Sequence, residues 1–206
     1  MTLIYHITHV SNLASIAMRG LVCDMTIAEG AVEAHSIAFT DIKRRRSVTT
    51  VRCPPGGVLS DYVPFYFAPR SPMLYTIHQG NVPTVSDGQR EVVHLVLSAE
   101  AVATSRTCVF TDGHAIMNLS NYYDDLEDLA RLDWRAIQTR EWGLKFDPTG
   151  ETKRKKQAEF LVHGQVPWNQ VMGIGVFTAD CSVLAEAALV GLPHVPRVAV
   201  RRDWYY

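Results

Sequence analysis

Residues 153–162 read KRKKQAEFLV: four basic side chains, Gln157 and Ala158, and then Glu159 set directly against Phe160, Leu161 and Val162. A carboxylate heading an apolar run destabilises a fold unless something pairs with it, because burial disfavours the ionised form. Placed at a strand's start in a cleft, such a group can hold its charge against a sugar hydroxyl or a developing cation.

The rest of the chain supplies the setting for that residue. LIYHIT (3–8) reads as a strand, followed by a helix capped by Ser11, with Leu13, Ile16 and Ala17 on one face and Gly20 at its end. Residues 24–61 read as irregular, broken by RCPPGG (52–57). VPFYFAP (63–69) reads as a buried strand closed by Pro69, and a helix is predicted to start at Ser71 with Pro72 in its first position. SDG (86–88) marks a turn before the strands EVVHLVLS (91–98) and TCVFT (107–111). The spacing of Leu126, Leu129, Ala130 and Ile137 predicts a helix over 122–137. AEFLVHG, VMGIGVF and VPRVAVRR give late strands, with DCSVLAEAALVG (180–191) as a helix between the last two. The fold class is therefore α+β, one domain over 1–206 with a mixed, largely antiparallel sheet.

At 206 residues and 47% hydrophobic, the chain can bury a core without disulfides or metal. Cys23, Cys53, Cys108 and Cys181 form no C-x-x-C pair and fit the scattered thiols of a reducing cytoplasm. No apolar stretch reaches the 18 residues of a membrane span, so the chain is expected to be cytoplasmic, off the membrane and monomeric. A net charge of −1 excludes a broad basic face for duplex DNA. Two local clusters remain, Lys43 to Arg46 with Arg52, and Lys153, Arg154, Lys155 and Lys156, each either a solvated loop or a polyanion contact.

His6 and His9 lie three apart, which on a strand puts them on opposite faces and argues against a shared metal; no metal is expected. His6, with Thr8 and Asn12, offers ring nitrogen, hydroxyl and amide to a polar ligand at a strand end, or is an ordinary structural histidine. DYVPFYFAPRSPMLY (61–75) carries five aromatic rings; Tyr66 and Tyr75 suit a sandwich around a planar heterocycle, with Ser71 bonding its amide, or else form an aromatic core strand. Trp134, Trp142 and Trp168 are read as core or as base-stacking rings. A His, Tyr and Glu set on successive strands suits cleavage of a nucleotide's glycosidic bond, whose oxocarbenium-like state a carboxylate stabilises, and points to NAD.

YHIT, the spacing of Tyr66, Phe67, Ala68, Ser71 and Tyr75, and the late Glu159 resemble the ADP-ribosyltransferases of the diphtheria-toxin-like and PARP-like classes. DYVPFYFAPRSPMLY, VFTDGHA (109–115) and KKQAEFLV together resemble the DarT family, bacterial toxins that ADP-ribosylate thymine in single-stranded DNA. The resemblance implies an ADP-ribosyltransferase-like fold and NAD as co-substrate, contacted by His6, Thr8 and Asn12, with Tyr66, Ser71 and Tyr75 on the nicotinamide side. It implies Glu159 as the catalytic glutamate, His114 near the reacting base, and an arginine that engages the thymine, Arg46 first and Arg44 second, with Arg44 otherwise on the cofactor. Lys153, Arg154, Lys155 and Lys156 would guide the DNA. A macrodomain antitoxin of the DarG type is the implied partner. The rival functions are transfer to protein or RNA, and an inactive NAD- or nucleic-acid-binding module.

Overall fold

The computed structural model describes residues 1–30, 34–85 and 87–206. LIYHITH forms β1 (Leu3–His9), whose inward side chains Ile4, Tyr5 and Ile7 are buried. The two-residue strands β2 (Leu21–Val22) and β8 (Gln165–Val166) pair with each other. The remaining strands are β3 (Tyr62–Tyr66), β4 (Val92–Ser98), β5 (Cys108–Thr111), β6 (Tyr122–Tyr123), β7 (Glu159–His163), β9 (Gly173–Val176) and β10 (Arg197–Val200). With β1 they make one sheet in the order β10-β9-β4-β1-β3-β7-β5-β6. Every neighbouring pair is antiparallel except β9 and β10.

The join between β1 and β3 is the weak seam of this sheet. β1 pairs with β4 along its whole length, but meets β3 only at Tyr5 opposite Tyr66. Pro64 explains the gap: it has no N–H to give the ladder, and its carbonyl instead accepts the His6 Nδ1–H at 2.8 Å. The seam opens the sheet into a cleft flanked by both strands.

Both faces of the sheet are covered. One core joins Phe65, Leu95 and Phe160 of the strands to Leu13 and Ala17 of α1 (Leu13–Arg19) and to Cys181 and Ala185 of α8 (Ala179–Ala187). On the other face Ile7 and Val92 meet Leu74 and Ile77 of α4 (Pro72–His78) and Tyr205. Buried on both sides, β4 reads as a continuous apolar run interrupted only by His94 and Ser98. His94 donates from Nε2 to the Pro69 carbonyl at 2.9 Å, and burial pulls its pKa down to about 4, so it is a neutral core residue.

Several expectations need correction. The stretch 24–61 is not irregular: it contains α2 (Asp24–Ala28), α3 (Thr40–Arg46) and a 3-10 turn at Leu59–Asp61. Neither helix shows a side-chain N-cap hydrogen bond, so the start signals are missing. Ser11 does not cap the first helix; it sits inside the 3-10 turn Val10–Asn12, and its N–H donates to His9 Nδ1 at 3.2 Å. The single helix over 122–137 is instead β6, a 3-10 stretch Leu126–Arg131 and α6 (Trp134–Gln138), because Asp125 and Asp133 each cap a new start. The basic run is not a loop but α7 (Glu151–Lys156). Of the turn at 86–88, Ser86 lies outside the described residues. No described helix is long and apolar enough to cross a membrane.

Gly175 of β9 lies against the Trp204 ring so closely that a Cβ there would overlap it. Gly175→Ala should therefore cost about 1–3 kcal/mol by overpacking, read as a lower urea midpoint at unchanged slope.

Candidate active site

Glu159 is the first residue of β7, directly opposite Tyr66 of β3, beside the open seam. Its side chain is only 4% exposed, and its carboxylate is met by three donors. Oε2 accepts from Arg46 Nη1 at 2.7 Å. Oε1 accepts from His114 Nδ1 and from the backbone N–H of Ala115, each at 3.0 Å. These partners come from α3 and from the loop after β5, so the ion pair joins residues 113 apart in sequence.

The loop is itself fixed. Thr111, fully buried at the end of β5, accepts the Glu159 backbone N–H at 3.2 Å and donates to the Gly113 carbonyl at 2.6 Å. Ser120 donates to the His114 carbonyl at 2.8 Å, and Tyr122 to the Ala115 carbonyl at 2.7 Å. An amide and an imidazole are thus aimed at one carboxylate by contacts that none of the three short motifs spells out.

Burial alone would push the Glu159 carboxyl up, but the Arg46 charge and the His114 hydrogen bond overcome it and hold the pKa down at about 2. Arg46 is buried too; desolvation opposes its charge, and Glu159 more than restores it. Burial, then the Glu159 charge, push the Tyr66 hydroxyl well above its ordinary value, so it stays protonated. Burial also lowers His6, against the pull of the Pro64 carbonyl. With Nδ1–H committed to Pro64, neutral His6 keeps its Nε2 lone pair for a ligand.

A cavity of about 330 Å³ opens over these groups. His6, Thr8, Tyr66, Arg46, His114 and Glu159 all line it, with apolar walls from Ile7, Ile37, Phe39 and Met73. Asn12 lines it as well, but both ends of its amide are occupied: Nδ2 donates to the His35 carbonyl and to Thr8 Oγ1, each at 2.9 Å, and Oδ1 accepts the His35 N–H at 2.8 Å. Asn12 therefore holds residues 34–39 over the cavity. His35 stacks on His9 at 4.1 Å and donates from Nε2 to the Thr84 carbonyl at 2.9 Å, adding a second tie that the sequence reading missed.

Other candidates fall elsewhere. Ser71 is buried behind the cavity wall, where its side chain hydrogen-bonds Tyr66 and caps α4, accepting the Leu74 N–H at 3.1 Å. Tyr75 is off the cavity, edge-on to Trp142 and Tyr206 at 5.2 and 5.1 Å, because on α4 it faces away from Met73. Arg44 is an exposed residue paired with Asp41 at 3.5 Å, whereas Arg46 lines the cavity and pairs with Glu159. In the basic run, Arg154 is paired with Asp112 and Glu151, Lys155 with Asp133, and Lys156 donates to the Ile137 carbonyl at 2.8 Å. Burial pulls the Lys156 ammonium down to about 8, helped by Arg70. Lys153 alone of the four is exposed at the cavity without an ion pair among the described residues. Trp142 and Trp168 are buried and Trp134 packs against the core. Among the described residues no group of His, Cys, Asp and Glu is placed to hold a metal ion.

A sequence profile described as "ssDNA thymidine ADP-ribosyltransferase, DarT" matches residues 5–206. This chain belongs to the DarT family. A "DNA ADP-ribosyl transferase" of Thermus sp. (strain 2.9) is 43% identical over 208 residues, covering 100% of this chain and 96% of that protein. The structure described as Thermus sp. 2.9 DarT in complex with ADP-ribosylated ssDNA superposes with TM-score 0.92 at 43% identity, covering 100% of this chain and 96% of that one. The same protein in complex with NAD+ gives TM-score 0.87 at 41% identity over 100% and 98%. Membership carries the ADP-ribosyltransferase fold with it, and the eight-stranded α+β architecture agrees.

Arg46→Ala and Glu159→Ala should each cost about 3–5 kcal/mol in urea unfolding, since each strands a buried charge, and the double variant should cost less than their sum. Because folding lowers the Glu159 pKa from 4.5 to about 2, its contribution is complete above 4.5 and is lost as pH falls toward 2. The stability gap between the unaltered protein and Glu159→Ala should narrow across that interval.

Proposed function

We propose that this chain splits NAD between nicotinamide and ribose and transfers ADP-ribose to a thymine of single-stranded DNA. The observation that carries the reading is the carboxylate of Glu159, buried yet held ionised on a cavity wall. A carboxylate accepts about four hydrogen bonds. Oε1 is taken by two donors and Oε2 by one, so Oε2 retains a lone pair for a hydroxyl of the nicotinamide ribose. As the glycosidic bond breaks and its electron pair leaves with nicotinamide, the positive charge on the ribose meets a negative charge already in place.

The acceptor step needs a thymine ring nitrogen to form the new bond to ribose and lose its proton. Arg46 does not serve as the base, because a guanidinium paired with a buried carboxylate keeps its proton; it stabilises the thymine anion instead. His114 donates from Nδ1 to Glu159, so its neutral form keeps the Nε2 lone pair, which takes the ring proton. His6 and Thr8 bind NAD, Tyr66 lies on its nicotinamide side, and Asn12 acts through the segment that it holds over the cavity. Lys153 meets a DNA phosphate at the mouth. As a DarT-type toxin the enzyme works in the cytoplasm and is checked by a macrodomain antitoxin.

Labelled NAD incubated with a thymine-containing single strand should mark the DNA, and labelling of only protein or RNA controls would sink the acceptor assignment. Glu159→Gln should lower the turnover about a hundredfold or more. Asn12→Ala should raise KM for NAD more than it lowers kcat, and equal losses in both would refute its role through residues 34–39.

A further inference from the structure

The face of α4 turned away from the cavity carries a second cluster. Met73 and Thr76 line the cavity, while Tyr75, two residues along, projects from the other side of the helix. Tyr75 is 37% exposed. It meets Trp142 and Tyr206 edge-on, and the Trp142 indole N–H donates to the Tyr206 hydroxyl at 3.2 Å, so the three rings form one block.

Arginines border that block. The Arg70 guanidinium lies 5.4 Å over the Tyr206 ring, and its Nε is buried with no hydrogen-bond partner. Arg140, two residues before Trp142, is exposed. Among the described residues neither Arg70 nor Arg140 forms a salt bridge, unlike Arg44, Arg46, Arg131, Arg154 and Arg201. Burial and then Arg140 weaken the Arg70 charge, as Arg70 weakens that of Lys156, so the three cations share one neighbourhood. Asp203, the acid that bears on Arg70, is already paired with Arg201 at 2.9 Å.

Unpaired cations around a half-exposed ring suit a ligand that alternates anionic groups with flat ones, which is a single nucleic-acid strand. The block and the cavity stand about one helix diameter apart, roughly 10–12 Å. A single strand reaches the block only if it runs on past the modified thymine. We propose that Arg70, Arg140 and Tyr75 form a track for the strand flanking the modified thymine, the arginines taking phosphates and Tyr75 stacking on a base. The proposal rests on the single-stranded DNA acceptor and adds a recognition site that lies outside the cavity.

The test compares a trinucleotide containing thymine with a long strand carrying one central thymine, using Arg140→Ala and Tyr75→Ala, with Arg70→Ala as a third variant checked for thermal unfolding. Arg140→Ala and Tyr75→Ala should each lower kcat/KM on the long strand about tenfold, with KM for NAD and the rate on the trinucleotide unchanged. The slope of log rate against log salt should fall by about 0.7 when Arg140 is removed. Abasic flanks should erase the effect of Tyr75→Ala and leave that of Arg140→Ala. Variants that keep the full preference for the long strand overturn the track, as does equal inhibition by polyglutamate and by an unmodifiable strand. If the unaltered protein labels neither strand, the acceptor assignment itself fails, which is a separate result.

Discussion

The buried pair between Arg46 and Glu159 is the interaction on which the rest of the molecule depends. Two charges inside a protein are tolerated only when geometry and additional hydrogen bonds compensate their desolvation. Here the compensation comes from the whole tertiary structure: α3 delivers the guanidinium, the loop after β5 delivers an imidazole and an amide, and β3 sets Tyr66 opposite. The same arrangement makes the site chemically useful, since a carboxylate fixed in its ionised form requires no proton loss before it acts.

A second constraint is the interrupted join between β1 and β3. A closed ladder there would leave no cleft. Pro64 removes a donor, and His6 satisfies the exposed carbonyl while keeping its other nitrogen toward the cavity. One substitution of backbone bonding by side-chain bonding therefore both opens the sheet and places a ring nitrogen on the cavity wall. Residues 34–39 then cover the opening, held by the Asn12 amide and by the His35 contacts to His9 and Thr84.

Much of the strand pattern was legible because period-2 alternation and apolar runs reflect burial directly: β4, β5, β7, β9 and β10 fall within the stretches read as strands, and β1 and β3 overlap theirs with ends shifted by one to three residues. The helices between residues 24 and 46 were not legible, since they lack cap signals and α2 buries no residue fully. Charge was the least readable property. KRKK looks like one basic surface, yet three of its four side chains are consumed by Asp112, Glu151, Asp133 and a backbone carbonyl, none of which sequence proximity singles out except Glu151. Tyr75 was equally opaque: its residue type suits a stacking site, but its place on α4 turns it from the cavity toward Trp142 and Tyr206.

By itself, the sequence determined that Glu159 heads a buried strand and must be partnered, and the motifs around His6, Tyr66 and His114 determined the family to which that carboxylate belongs. The tertiary structure alone decided which partner it has. Arg44, Arg45 and Arg46 are interchangeable as text, and only Arg46, at the end of α3, is carried inward to 2.7 Å from Glu159, while Arg44 faces solvent. The physical reason is that composition and periodicity report how buried a residue is, whereas pairing across 113 residues depends on where whole elements are placed.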